Sequence, residues 1–371
     1  MAAMDVVREH TIVTKINRIV VVGGGSAGWM TASILIRSFP DIDISLIESP
    51  DIPIVGVGES TLGGINEFIH YLGIKEEDFM PETDASYKMS IKFTDFYDID
   101  SGHFHYPFGH PYLEGTNQGL VDWMIKKRCD SKIPVTDFVN SYFPASALFE
   151  KNKYSDNSDG MFDNFYPKLG VAYHFDATKF GSWLKENYCL PRGVKLIRDN
   201  VVDTSTSENG VDYLTLQGGE NIYADLFVDC TGFKSIILGD ALGEKFTKYD
   251  DLIPNDSAWA TRIPYSDKEK ELEPFTNSTA YKNGWVWNIP LWSRLGSGYV
   301  YSSKYVSDED ALEEYKQYLK SPKMVVPRSQ KEIDELEFRK IKMRIGIHER
   351  TFVKNVVAIG LSAGFIEPLE S

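Results

Sequence analysis

The sequence predicts an α/β fold built on a Rossmann-like dinucleotide-binding core, and three observations carry that expectation. A continuous apolar run, Ile19-Val20-Val21-Val22, leads into Gly23-Gly24-Gly25-Ser26-Ala27-Gly28, and a helical pattern follows over 27–38. A second strand over 42–47 closes a βαβ unit and ends at Glu48. Far downstream, Val356-Val357-Ala358-Ile359-Gly360 is another apolar strand running into a glycine turn. Apolar runs without polar alternation are the strands of a parallel sheet covered on both faces.

Each element has a local reason. Gly23, Gly25 and Gly28 permit a tight turn and close backbone approach. The helix N-terminus, with Ser26 and Ala27, can then face a pyrophosphate. Glu48 lies twenty residues beyond Gly28, where a carboxylate can accept from a ribose hydroxyl. The fingerprint alone suits NAD or FAD. The late glycine turn at Gly360 favours FAD, because two-domain FAD proteins bring such a segment back to the cofactor. A helix is predicted over 65–72, ended by Gly73, and another over 176–188 with Asp176 as N-cap. Strands are expected near 194–198, 211–216 and 226–230, an antiparallel pair over 286–291 and 298–302, and an acidic surface helix over 308–319. Residues 94–170 read as irregular and rich in Tyr, Phe, Pro, Gly and Asp, the pattern of a substrate-covering insertion.

Composition narrows the function classes. The 371 residues carry 39 Lys+Arg against 54 Asp+Glu, a net charge of −15, which disfavours phosphate backbones and anionic lipid as partners. The 42% hydrophobic content is that of a globular chain, so global disorder is excluded. Cys129, Cys189 and Cys230 form no CxxC pair, which fits a reducing compartment. Charges interrupt residues 1–17, and no run reaches the roughly 18 apolar residues of a membrane span. A cytoplasmic location without membrane partners is the expectation.

Four motifs, spread from residue 19 to the end, resemble the flavin-dependent halogenases, most closely their tryptophan halogenase branch. They are the Gly23–Gly28 loop followed by Trp29-Met30, then Gly56-Val57-Gly58-Glu59-Ser60-Thr61, like the family's GVGEAT loop. Next comes Gly284-Trp285-Val286-Trp287-Asn288-Ile289-Pro290, which matches WxWxIP. Last is Phe365-Ile366-Glu367-Pro368-Leu369-Glu370-Ser371, like FxxPxxS. Asp84-Ala85-Ser86-Tyr87-Lys88 with Ile91-Lys92-Phe93 is similar to NGAFK-x-x-IKF, and His105-Tyr106-Pro107-Phe108-Gly109 to the HPFG region.

The resemblance implies a FAD-binding Rossmann-like core of the two-domain flavoprotein monooxygenase type with an inserted substrate-binding region. Residues 1–93, 176–240 and 339–371 would form the core, 94–175 the insertion, and 241–338 a β-sheet region carrying WxWxIP. It implies that FAD, used as FADH2 with O2 and halide, yields hypohalous acid that halogenates a small indole- or phenol-like substrate. A separate flavin reductase would supply FADH2, and a homo-oligomer is compatible. Lys88 and Glu370 would be catalytic, and Tyr106, Phe108 and Ser371 would hold substrate. Gly58, Glu59 and Ser60 would join Gly23, Gly25, Ser26, Ala27, Gly28, Glu48 and Gly360 around the cofactor. Trp285 and Trp287, on one face of a strand by period two, would form a wall keeping substrate from the flavin. Tyr106 stands where the family has histidine, which points to a different or broader aromatic slot. The chain ends inside its last motif, as expected of a fragment. His103, His105 and His110 have no Cys or acidic partner at ligand spacing, so no metal is expected. An aromatic hydroxylase, or a degenerate FAD-binding protein, is the alternative.

Overall fold

The computed structural model describes residues 15–52, 59–109, 118–143, 145–154, 171–367 and 369. The strands that position the site are, in chain order, β1 (Arg18–Val22), β2 (Asp43–Glu48), β3 (Glu59–Ser60), β4 (Ser86–Lys88), β5 (Ser90–Thr94), β6 (His103–Pro107), β7 (Ala172–Phe175), β8 (Lys195–Arg198) and β9 (Leu226–Asp229). They continue with β10 (Ser257–Pro264), β11 (Phe275–Tyr281), β12 (Gly284–Pro290), β13 (Arg294–Tyr301), β14 (Arg339–Lys342), β15 (Phe352–Val353) and β16 (Val356–Ala358).

A six-stranded sheet in the order β15-β16-β9-β1-β2-β8 forms the first layer system, parallel throughout except for the β15–β16 pair. Its central strand explains the unbroken apolar run. Ile19 and Val21 pack towards Trp29, Ala32 and Ile36 of helix α1 (Ser26–Ser38), whereas Val20 and Val22 face Phe227, Ile237 and Leu238 on the other side. Both faces are therefore covered, as predicted for the Rossmann-like core.

A seven-stranded sheet follows, in the order β14-β10-β13-β12-β11-β5-β6, with β5 and β11 parallel and the other neighbours antiparallel. The antiparallel pair expected near 286–302 is β12 against β13. The helix expected to be an acidic surface element, Asp308–Lys320, is amphipathic. It buries Ala311, Tyr315, Tyr318 and Leu319 against Val286, Tyr299 and Tyr301. Its apolar residues at three- and four-residue intervals align on one face, and its carboxylates occupy the rest.

Two further differences concern segmentation. The 94–170 region is less irregular than its composition suggests, containing β6 and helices Gln118–Cys129, Thr136–Tyr142 and Ser146–Phe149. The division placed between residues 93 and 94 falls inside β5, a strand of the seven-stranded sheet. Asp176 caps the helix Ala177–Trp183, its side chain accepting from the backbone N–H groups of Thr178 and Lys179. Among the described residues, no helix is long and apolar enough to cross a membrane.

Candidate active site

The glycine loop packs as its residue types require. Gly23 has φ +122°, and a Cβ there would stand 2.2 Å from the Cys230 carbonyl oxygen. One on Gly28 would lie 1.8 Å from the Gly23 oxygen, so α1 can approach β1 only without a side chain. The start of α1 has no side-chain cap and no acid in its first turn, and a Cβ on Gly25 would meet nothing within 4 Å. An uncapped, acid-free helix start beside an open glycine suits an anionic pyrophosphate. Gly360, with φ +70°, returns to the same place: a Cβ there would be 3.0 Å from that of Ala27. Ser26 turns its hydroxyl away to the Ala177 carbonyl at 3.2 Å. Glu48 borders Gly24 and accepts from Lys185 Nζ at 3.3 Å, a partner the sequence did not disclose. These residues fit a bound dinucleotide.

A small sheet in the order β3-β7-β4 joins this cradle to Lys88. Lys88 ends β4, is 0% exposed, and donates to the Thr61 carbonyl at 2.8 Å. Its ammonium lies 5.0 Å from the centroid of the Phe108 ring, close enough for a cation–π contact. The last residue of the GVGEST segment therefore holds the lysine. Lys92, on β5, belongs to a different sheet.

Beneath Lys88 runs a buried hydrogen-bond chain that sequence reasoning missed. Ser60 Oγ meets Thr276 Oγ1 at 2.7 Å, Thr276 meets His174 Nε2 at 2.9 Å, and His174 Nδ1 meets Ser86 Oγ at 3.2 Å. Ser86 in turn donates to the Pro290 carbonyl, the last residue of WxWxIP. A carbonyl has no proton to give, so Ser86 spends its only hydrogen there, and Nδ1 of His174 must carry one. Nε2 then accepts from Thr276, which accepts from Ser60. Every donor is used. Burial, followed by the Lys88 charge, holds His174 well below the usual imidazole range, so it is neutral. The only sequence signal for it was the histidine of Tyr173-His174-Phe175-Asp176.

Trp285 and Trp287 leave one face of β12 with ring centroids 6.0 Å apart, and both are buried. They pack with Ala258, Ala260 and Val300, and with Phe233, Phe365 and Leu369. Gly298 on β13 makes room for the second indole: a Cβ there would sit 2.2 Å from Trp287 Cη2. Glu367, from the last motif, accepts from Trp285 Nε1 at 2.8 Å, and burial pushes its carboxyl up. Tyr106 and Phe108 stand edge to face, 6.2 Å and 84° apart, with Tyr106 half exposed. Gly58, Glu370 and Ser371 lie outside the described residues, as does the side chain of Glu59.

The chain is similar to four references. Residues 18–371 match the family model for tryptophan halogenase. The tryptophan 6-halogenase SttH of Streptomyces toxytricini is 35% identical over 371 residues, covering 96% of this chain and 68% of that protein. The tryptophan 7-halogenase RebH of Lentzea aerocolonigenes is 34% identical, covering 96% and 67%. The apo structure of VirX1 superposes with a TM-score of 0.88 at 41% identity, again over 96% of this chain and 67% of that one.

Proposed function

The chain belongs to the tryptophan halogenase family and is a flavin-dependent halogenase; on that premise we propose that it halogenates the indole ring of tryptophan or a related small arene. The observation that carries this reading is Lys88, buried, anchored on the Thr61 carbonyl and set against Phe108. FAD, reduced by a separate flavin reductase, supplies with O2 and halide the oxidising equivalent, delivered as hypohalous acid. The Gly23–Gly28 loop, Glu48 and Gly360 would hold the dinucleotide, with Gly58, Glu59 and Ser60 beside its ring.

The chain's own residues then direct an indiscriminate oxidant. Trp285 and Trp287 form an apolar wall that keeps the arene from the flavin. The Lys88 ammonium donates to the oxygen of hypohalous acid and makes the halogen more electrophilic. Phe108 and Tyr106 present the ring near Lys88, with Ser371 adding a polar contact. The O–X bond breaks as the arene carbon takes the halogen, the hydroxide takes a proton from the Lys88 ammonium and leaves as water, and the arene proton passes to Glu370, which returns it to Lys88. Fixed placement matters here because an anchored ammonium turns a diffusing reagent into a local one. The reading places this activity in the cytoplasm.

Incubation with FAD, a flavin reductase, NADH, O2 and bromide, over a panel of indoles and phenols, tests it by mass spectrometry. Brominated indole is expected. Hydroxylated product without bromination would favour the aromatic hydroxylase, and bound FAD with no product the degenerate reading.

A further inference from the structure

Edge strand β6 carries His103 and His105 two residues apart, so both imidazoles leave the same face of the sheet, opposite Tyr106. Helix Ser146–Phe149 lies over that face. Phe149 stacks on the His105 ring at 4.6 Å between centroids, and Glu150, the next residue, brings Oε1 to 3.7 Å from His105 Nε2. One ligand atom from each of His103, His105 and Glu150 lies within 4.8 Å of the other two. No regular spacing in the sequence links residue 150 to residues 103 and 105.

The surroundings prepare His105 as a ligand. It is buried, and the Ser90 hydroxyl engages its Nδ1 at 2.9 Å, which fixes the ring and turns Nε2 to Glu150. Such a partner on the second nitrogen is the usual support of a metal-binding imidazole. Zinc–nitrogen and zinc–oxygen bonds of about 2.0–2.2 Å put two ligand atoms of a tetrahedral ion roughly 3.3–3.5 Å apart. The His105–Glu150 pair is already near that separation. Glu150 has a 41% exposed side chain, free to swing and close the remaining gap to His103. A cavity of about 800 Å³, bordered by Lys92, His105, Glu150 and Glu273, gives an entry path. Opposing positive charge comes from Lys92, Lys151, Lys153, Lys268 and Lys270, which border the same cavity; Lys92 lies 5.7 Å from the Phe275 ring centroid and interacts with the Glu273 carboxyl.

We propose that His103, His105 and Glu150 form a binding site for a divalent transition metal, zinc by the nitrogen and oxygen character of its ligands, with water in the fourth position. The ion clips helix Ser146–Phe149 to the sheet edge, behind the strand that presents Tyr106.

The test uses the whole chain, stripped with a chelator and titrated with Zn²⁺ by calorimetry and with Co²⁺ by visible absorption. Glu150→Gln and His103→Gln alter side chains that are not fully buried, so the fold should survive both. The expected result is one ion per chain, a rise in thermal midpoint with Zn²⁺, and at least about tenfold weaker binding in either variant. Absence of stoichiometric binding overturns the proposal. So does binding of wild-type strength in both variants, because the ion then sits elsewhere.

Discussion

Replacing Glu273 with glutamine should remove a specific pH dependence from the protein's stability. Glu273 lies between helix Lys268–Glu271 and β11 and is 9% exposed. Burial pushes its carboxyl from 4.5 up to about 7, against the pull of Lys92 and the Asn277 side chain. The folded chain therefore holds a proton that the unfolded chain releases near 4.5. Its contribution is fully present below that pH and is lost as pH rises through about 7. Moving a carboxyl over that interval corresponds to about 3 kcal/mol. Glutamine mimics the protonated acid at every pH, so the variant lacks this component. The assay is urea unfolding of both proteins at pH values from about 5 to about 8, read as the difference between them. Titrations of groups remote from Glu273 cancel in that difference. The wild type should lose on the order of 3 kcal/mol relative to the variant across the range. Parallel curves would refute the reasoning, since they would mean that Glu273 is as solvated folded as unfolded.

Lys88→Met keeps the buried aliphatic stem and removes the ammonium, and product formation should fall by about a hundredfold or more while flavin still binds. Mass-spectrometric rates and a flavin fluorescence titration check both halves, and an unchanged rate would remove Lys88 from the chemistry. Gly28→Ala should lower the unfolding midpoint sharply, its methyl falling on the Gly23 carbonyl. Gly25→Ala meets no neighbour, so it should preserve stability yet weaken FAD binding; equal affinity would place the cofactor away from that glycine. Glu367→Leu strands the Trp285 N–H and should cost about 1–3 kcal/mol, with a change in tryptophan emission, whereas Glu367→Gln retains an acceptor. Identical unfolding midpoints for the two would show that the hydrogen bond contributes nothing.

Much of the fold was legible because it rests on local chemistry. Helix Ile65–Leu72 ends at Gly73 because the chain takes φ +69° there, and Asp176 caps its helix with its own carboxylate. The insertion was harder, since its short helices carry weak periodicity: Gln118–Cys129 mixes apolar and basic residues around its circumference. The tyrosines of Asp308–Lys320 were outweighed by its carboxylates, although only one face of a helix has to be apolar.

By itself the sequence determined the glycine loop, the doubly covered parallel strands, the tryptophan pair on one face of β12 and the family to which the chain belongs. Backbone sterics and side-chain period act over a few residues, so they can be read from spacing. Only the tertiary structure decided what meets across the sheets. It put the Thr61 carbonyl on Lys88, joined Ser60 to Pro290 through Thr276, His174 and Ser86, gave Glu48 the Lys185 partner, and laid Glu150 beside His103 and His105. Those contacts depend on how strands order themselves and on which segment crosses an edge, and residue spacing along the chain does not encode either.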